Sequence, residues 1–395
     1  MGLAQYSPAD EKLRAEVIAF LEEVWSPERQ LQALIEQHHH QDHIDLEWEH
    51  GFWKELGKRG WLGIGIPEEF GGSGGTALQR HLFTEVMSYY GAPYPRAATT
   101  IIAPALVSHA DEQLKSRYLP RIARGEINFC LGYSEPEAGT DLASLKMRAR
   151  RDGDHYVLDG MKLFTTRAQR SDFVYLAARN DAGGRKHEGI TLFIVDLNDP
   201  GVTIEKLPTM DGRTNITSYD QVRVPVEDRV GEEGKGWSYL TGALGLERVG
   251  VFPIGHIRRC MEETVRLAKQ ARPDGVVPFT SPYVRQQLAG LHVEFTAVLG
   301  LVEGATIQAV DGDLPGFVAA QVKTSVTEFK QRLVDLGGTM LGQYGQLMPG
   351  APDAPLDGTM PMLWADAIVH TFGAGTNEVQ RDMIAQRGLG LPRSR

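Results

Sequence analysis

The chain has 395 residues, 42% of them hydrophobic, with 41 Lys and Arg against 51 Asp and Glu for a net charge of −10. That length supports more than one packed core, and the acidic balance excludes a general nucleic-acid role because no basic excess exists to neutralise phosphates. The two cysteines, Cys130 and Cys260, are too few for a disulfide framework and fit a reducing compartment. No apolar run is read as membrane-spanning and no basic-then-apolar leader pattern opens the chain, so a cytoplasmic protein is expected. Residues 11–36 place Leu13, Val17, Phe20, Leu21 and Val24 at helical spacing. The histidine-rich stretch His38-His-His-Gln-Asp-His43 is read as a polar loop. Contiguous histidines do not converge on one centre, and no closed ligand set accompanies them, so no metal is expected. Residues 48–60 and 78–126 predict further helices. The Gly-rich stretch 63–75 lacks the preceding strand and the spacing of a phosphate cradle and predicts a structural turn.

From residue 127 the character changes. Residues 127–133, 173–178, 190–195, 202–207 and 219–224 predict short strands. Asp159-Gly160, between the arms of 156–164, predicts a hairpin turn. Strands at this spacing imply a small barrel or sandwich. Beyond Trp237 the pattern is helical again, with Pro/Gly-rich breaks at 272–282 and 346–361. The expected class is α+β, with a helical domain over 1–126, a β domain over 127–234 and a helical domain over 235–395.

Along 237–269, Leu240, Leu244, Val251, Ile254, Met261 and Val265 share one helical stripe, and Glu247 lies on it. An acid on an apolar face is costly unless paired or used. A buried ion pair with Arg248 or another arginine meets that condition, and so does a catalytic carboxylate. Near the C-terminus, Thr371-Phe-Gly-Ala-Gly-Thr-Asn-Glu-Val-Gln-Arg381 predicts a turn feeding a helix. Gly373 and Gly375 let its backbone pass close to a ligand.

This stretch, with Ser134-Glu-Pro-Glu-Ala-Gly-Thr-Asp141 and Lys162-Leu-Phe-Thr-Thr166, resembles the signatures of the acyl-CoA dehydrogenases, flavoproteins that desaturate acyl thioesters at Cα–Cβ. The turn at 134–141 is similar to the family's Thr-Glu-Pro-Gly-Ala-Gly-Ser-Asp, with Glu137 where Gly is usual. The second motif is similar to Lys-x-Trp-x-Thr, with Phe164 for Trp. A phenyl ring can still pack on a flavin but lacks the indole N–H. The resemblance implies an N-terminal helical domain, a middle β-barrel domain and a C-terminal four-helix bundle. It implies FAD held by Tyr133, Ser134, Gly139, Thr140, Phe164, Thr166, Thr376 and Glu378, and an acyl-CoA contacted by Thr140, Arg248 and Gly375.

Most of the family reads Tyr-Glu-Gly-Thr where this chain reads Gly373-Ala374-Gly375-Thr376, so the usual base is missing. Gly245-Leu-Glu-Arg248 resembles the Leu-Glu-Arg of isovaleryl-CoA dehydrogenase, in which that glutamate is the base. The resemblance therefore implies Glu247 as the base and the Ala374 backbone N–H as a donor to the thioester oxygen. It further implies loss of the β-hydrogen as hydride to the flavin and an electron-transfer flavoprotein as acceptor. In homotetrameric members an Arg-x-x-Phe-Gly reaches a neighbour's FAD pyrophosphate. Here that stretch reads Ala271-Arg-Pro-Asp-Gly275, and the later Gln-x-Leu-Gly-Gly reads Thr339-Met-Leu-Gly-Gln343. The motifs given to another subunit are eroded, while those for the chain's own flavin are kept. This is similar to the catalytic subunit of bacterial heterotetrameric steroid side-chain dehydrogenases. It implies an α2β2 assembly with a second dehydrogenase-like subunit and a bulky acyl group. The alternatives are a homotetrameric isovaleryl-type enzyme and, because of Ala374, a catalytically silent subunit.

Overall fold

The computed structural model describes residues 6–30, 46–180, 184–210, 212–241, 254–310 and 314–393. The helices, in chain order, are α1 (Pro8–Val24), α2 (Leu46–Lys58), α3 (Ala77–Tyr90), α4 (Ala103–His109), α5 (Glu112–Ala123), α6 (Ile254–Lys269), α7 (Pro282–Val310), α8 (Gly316–Leu341), α9 (Met360–Phe372) and α10 (Asn377–Met383). The strands are β1 (Phe129–Gly132), β2 (Arg148–Asp152), β3 (His155–Lys162), β4 (Phe173–Arg179), β5 (Ile190–Asp196), β6 (Val202–Lys206), β7 (Asn215–Pro225) and β8 (Arg229–Val230). Two compact units result, one built from residues 1–39, 77–92 and 248–395, the other from 40–76 and 93–247.

The first unit is helical. α1 opens on a capping box: Ser7 Oγ accepts from the Asp10 N–H at 3.2 Å, and the Asp10 carboxylate accepts from the Ser7 N–H at 2.8 Å. The helix stops at Trp25, whose indole N–H donates to Tyr90 O at 2.8 Å, so the helix expected over 11–36 is broken after Val24. The histidine-rich stretch at 38–43 lies outside the described residues. In the bundle of α6 to α9, α7 buries Val284, Leu288, Leu291, Phe295, Val298, Val302 and Ala305, a heptad-spaced stripe. By length and composition, residues 282–309 are apolar enough to cross a membrane, contrary to the sequence reading, but here the stripe lies in the bundle core. α8 is the central helix, with Val322, Val326, Phe329, Leu333 and Met340 all buried.

The second unit packs α2, α4 and α5 with an eight-stranded sheet of order β6-β7-β3-β2-β4-β5-β8, with β1 alongside β4 in parallel. β4 and β5 are buried over almost their whole length, which explains their unbroken apolar sequences. The expected barrel is not formed: among the described residues the sheet is open, ending at β6 and β8. Closure would require those two strands to pair, and neither is suited to it. β8 is two residues long, and β6 exposes Thr203, Glu205 and Lys206. Within the sheet, β2 joins β4 at a single register position, Arg148↔Arg179.

The hairpin turn is also misplaced in the sequence reading. β3 runs straight through Asp159-Gly160, which forms a bulge against β7 with Gly160 at φ +144. The turn is the earlier Gly153-Asp154, with Gly153 at φ +63 and Asp152 paired to His155. Both cysteines are free thiols.

Candidate active site

In the second unit the structure brings Tyr133, Ser134, Gly139, Thr140, Phe164 and Thr166 together. β1 ends at Gly132 and β3 at Lys162, and two contacts lock the loops that follow. Leu163 N donates to Ser134 O at 2.9 Å, and Lys162 Nζ donates to Tyr133 O at 3.1 Å. The turn at 135–138 closes on itself, Glu135 N to Ala138 O at 3.0 Å and Ala138 N to Glu135 O at 3.1 Å.

Beneath that turn is a buried ion pair that the sequence reading passed over. Lys162 is 0% and Glu135 8% exposed. The Glu135 carboxylate accepts from Lys162 Nζ at 2.8 Å, from Lys146 N at 2.6 Å and from Met147 N at 3.0 Å. Burial pushes Lys162 down to about 8, and the adjacent Glu135 carboxylate limits the fall. The available signal was a lysine and a glutamate sitting in otherwise apolar or turn-forming stretches.

Above this framework four of the expected cofactor residues are presented outward, while Tyr133 is buried in the core and Ser134 is half-buried. Gly139, Thr140 and Thr166 are exposed, and Phe164 is 55% exposed although its neighbours Lys162 and Thr165 are buried. Phe164 sits at φ +57, a backbone region that a bulky residue seldom occupies. The neighbouring residues hold it there. Thr166 N donates to Phe164 O at 2.9 Å, Thr165 N to Asn215 O at 2.9 Å, and Asn215 Nδ2 to Thr165 O at 3.1 Å. Among the described residues, no protein acceptor takes the N–H of Gly139 or Thr140. An outward aromatic face beside unspent backbone donors fits a flat, acceptor-rich ring system such as a flavin. Glu137, the departure from the usual Gly, is exposed and pairs with Lys146.

In the first unit, Ala374, Gly375 and Thr376 lie on the turn between α9 and α10, and Glu378 follows within α10. Ala374 is at φ +55 and Gly375 at φ +93, so the chain reverses through left-handed backbone. Thr376 caps α10, its Oγ1 accepting from Val379 N at 3.3 Å, which leaves its hydroxyl hydrogen to donate elsewhere. Glu378 is exposed on the first turn of α10. Two further polar groups sit under this region. Lys323 Nζ, on α8, donates to Thr371 O at 2.7 Å and to Asn377 Oδ1 at 2.5 Å. Lys330 pairs with Asp366 and lies 3.3 Å from His370 Nδ1. Glu247 and Arg248 fall outside the described residues.

Arg272, in the eroded stretch, is engaged within its own loop. Its Nε and Nη2 donate to the two Asp274 carboxylate oxygens at 3.1 and 2.7 Å, and Nη1 donates to Met340 O at 3.3 Å.

An open β-sheet between helical stretches of the chain, with a surface turn and an outward aromatic, fits a flavin-binding enzyme. The chain belongs to the acyl-CoA dehydrogenase family: the descriptions "Acyl-CoA dehydrogenase, N-terminal domain", "middle domain" and "C-terminal domain" match residues 7–126, 130–222 and 234–389. It is 36% identical over 397 residues to acyl-CoA dehydrogenase FadE29 of Mycobacterium tuberculosis, with 98% of each chain covered. Among solved structures it is similar to the Tcur3481-Tcur3483 steroid ACAD, with TM-score 0.89, 36% identity and 99% of each chain covered. It is also similar to the ChsE4-ChsE5 complex from Mycobacterium tuberculosis, with TM-score 0.87, 34% identity and 100% of each chain covered. Membership makes the chain a flavin-dependent acyl-CoA dehydrogenase and implies FAD as its cofactor.

Proposed function

We propose that this chain is the catalytic subunit of a cytoplasmic two-chain acyl-CoA dehydrogenase, α2β2, that introduces a trans Cα=Cβ double bond into a bulky, steroid-type acyl-CoA. The substrate class and the second subunit come from the relatives, one described as a steroid ACAD of two components and one as a two-protein complex. In this reading Tyr133, Ser134, Gly139, Thr140, Phe164, Thr166, Thr376 and Glu378 hold FAD. Thr140, Arg248 and Gly375 orient the acyl-CoA. Glu247 takes the α-proton onto its carboxylate. The Ala374 N–H donates to the thioester oxygen as that oxygen gains enolate charge, a role that survives the missing glutamate because it needs only backbone. The chemistry FAD would supply there is that of an acceptor for the β-hydrogen with its electron pair, with an electron-transfer flavoprotein as the onward acceptor.

The observation that carries the two-chain reading is the state of Arg272. In homotetrameric members an arginine in this stretch serves a neighbour's pyrophosphate. Here the guanidinium is held by the Asp274 carboxylate and Met340 O of its own chain. A bidentate carboxylate is a strong competitor for that group. Another copy of this chain is thus a poor donor, and a lost charge-assisted contact weakens FAD binding by about a hundredfold. The test is flavin absorbance against protein mass, for the chain expressed alone and with a dehydrogenase-like partner. Two FAD per α2β2 are expected, with little flavin on the chain alone. One FAD per copy in a tetramer of this chain only would overturn the composite site.

A further inference from the structure

We propose that Lys323 is a positioning residue for the thioester turn, setting the direction of the Ala374 N–H without touching substrate or flavin. This rests on the proposed role of that N–H. Lys323 is 0% exposed on the central helix α8, an expensive place for an amino group. Two of its contacts straddle the turn. Thr371 O, at 2.7 Å, is a last-turn carbonyl of α9 with no partner inside its own helix. Asn377 Oδ1, at 2.5 Å, belongs to the first residue of α10. One side-chain nitrogen therefore fixes the span between the two helix ends, and the four intervening residues must reverse within it. That constraint accounts for the left-handed backbone at Ala374, φ +55, and Gly375, φ +93.

The clamp is itself held from the other side. Asn377 is 3% exposed, and its Nδ2 donates to Glu328 Oε1 at 3.0 Å and to Thr327 Oγ1 at 3.1 Å. Glu328 is in turn paired with Arg381. With Asn377 unable to rotate, its Oδ1 is a fixed acceptor, and Lys323 transmits that position to Thr371. A methionine at 323 would fill much the same volume but leave Thr371 O and Asn377 Oδ1 without this donor. The turn would then lose the side chain that ties Thr371 to Asn377.

The test compares Lys323→Met and Asn377→Ala with wild type in the flavin-loaded enzyme, using two readouts. The first is backbone amide exchange at residues 373–376 without substrate. The second is the rate of anaerobic flavin reduction, separated from acyl-CoA affinity by titration. For Lys323→Met we expect exchange at 373–376 faster by about tenfold or more, and reduction slower by about a hundredfold, the scale of an ångström-level misplacement. Acyl-CoA affinity and flavin content should stay within about threefold of wild type. Asn377→Ala should move both readouts the same way by a smaller factor. It also carries the test if Lys323→Met does not fold. Wild-type exchange and reduction rates in the folded variants would overturn the proposal. So would a loss of affinity and flavin content in step with the rate, which is what general destabilisation produces. If the wild-type enzyme is reduced by no acyl-CoA, the functional reading falls, while the exchange measurement still decides whether Lys323 holds the turn.

Discussion

Replacing Glu135 by Leu should cost more than replacing Lys162 by Met, although the two residues form one ion pair. The asymmetry follows from the hydrogen bonds each substitution leaves unmade. Glu135→Leu strands the N–H groups of Lys146 and Met147, held at 2.6 and 3.0 Å, as well as the buried Lys162. Breaking a buried pair this way costs about 3–5 kcal/mol. Lys162→Met leaves the carboxylate with both backbone donors and deprives Tyr133 O of one, for about 1–3 kcal/mol. The pair also has a pH signature. Burial lowers Lys162 from 10.5 to about 8, a difference worth roughly 3 kcal/mol. The folded-state value lies below the unfolded one, so between about pH 8 and pH 10.5 the unfolded chain binds more protons, and wild-type stability rises with pH from this group. Below that window the penalty is constant. Urea unfolding of wild type and both variants, read by tryptophan fluorescence between pH 7 and 10, measures all of this. The advantage of wild type over Lys162→Met should widen above pH 8. A narrowing gap, or a Lys162→Met cost equal to that of Glu135→Leu, would refute the reasoning.

Glu247→Gln should keep its flavin and lower turnover by about a thousandfold, because the proposed proton acceptor is removed; near-normal flavin reduction by substrate would rule Glu247 out as the base. Gly160→Ala should cost about 1–3 kcal/mol in thermal or urea unfolding, since a Cβ would meet Met147 Cγ at 2.8 Å and φ is +144; an unchanged melting temperature would contradict it. Lys330→Met should cost about 3–5 kcal/mol by leaving the buried Asp366 carboxylate without its lysine. Adding Asp366→Asn should return part of that loss, and a double variant with strictly additive costs would show the pair is not coupled.

The sequence was most legible where one kind of periodicity dominated. β4 and β5 announced themselves because nearly every residue is buried, and the helices beyond Trp237 because Pro/Gly-rich breaks separate them. β2 was missed because Arg-Ala-Arg-Arg-Asp buries only Ala149, so it carries no hydrophobic signal and is recruited by its neighbour β3. Two Asp-Gly steps compete for the hairpin, and local turn chemistry cannot rank them. The second is drawn into the strand because Leu158 and Met161 on either side find partners on β7. Sheet closure was not legible either, since it depends on which edges meet, a non-local property. At the candidate site, motif and turn chemistry pointed to 133–141 and 164–166, where Gly139, Thr140, Phe164 and Thr166 are exposed. Glu135, Lys162, Lys323 and Asn377 were not, because they act through contacts between residues 27 and 54 positions apart.

The open sheet has a consequence for how the protein behaves when crowded. A free strand edge is a template for another strand, and a barrel would have removed it. Here the β6 edge presents Glu205 and Lys206, while the opposite edge is a two-residue strand. An incoming strand would have to desolvate two charges at one end and would find too few backbone partners at the other. Concentrated preparations should therefore resist fibrillar growth by strand addition, which leaves self-association to helical surfaces.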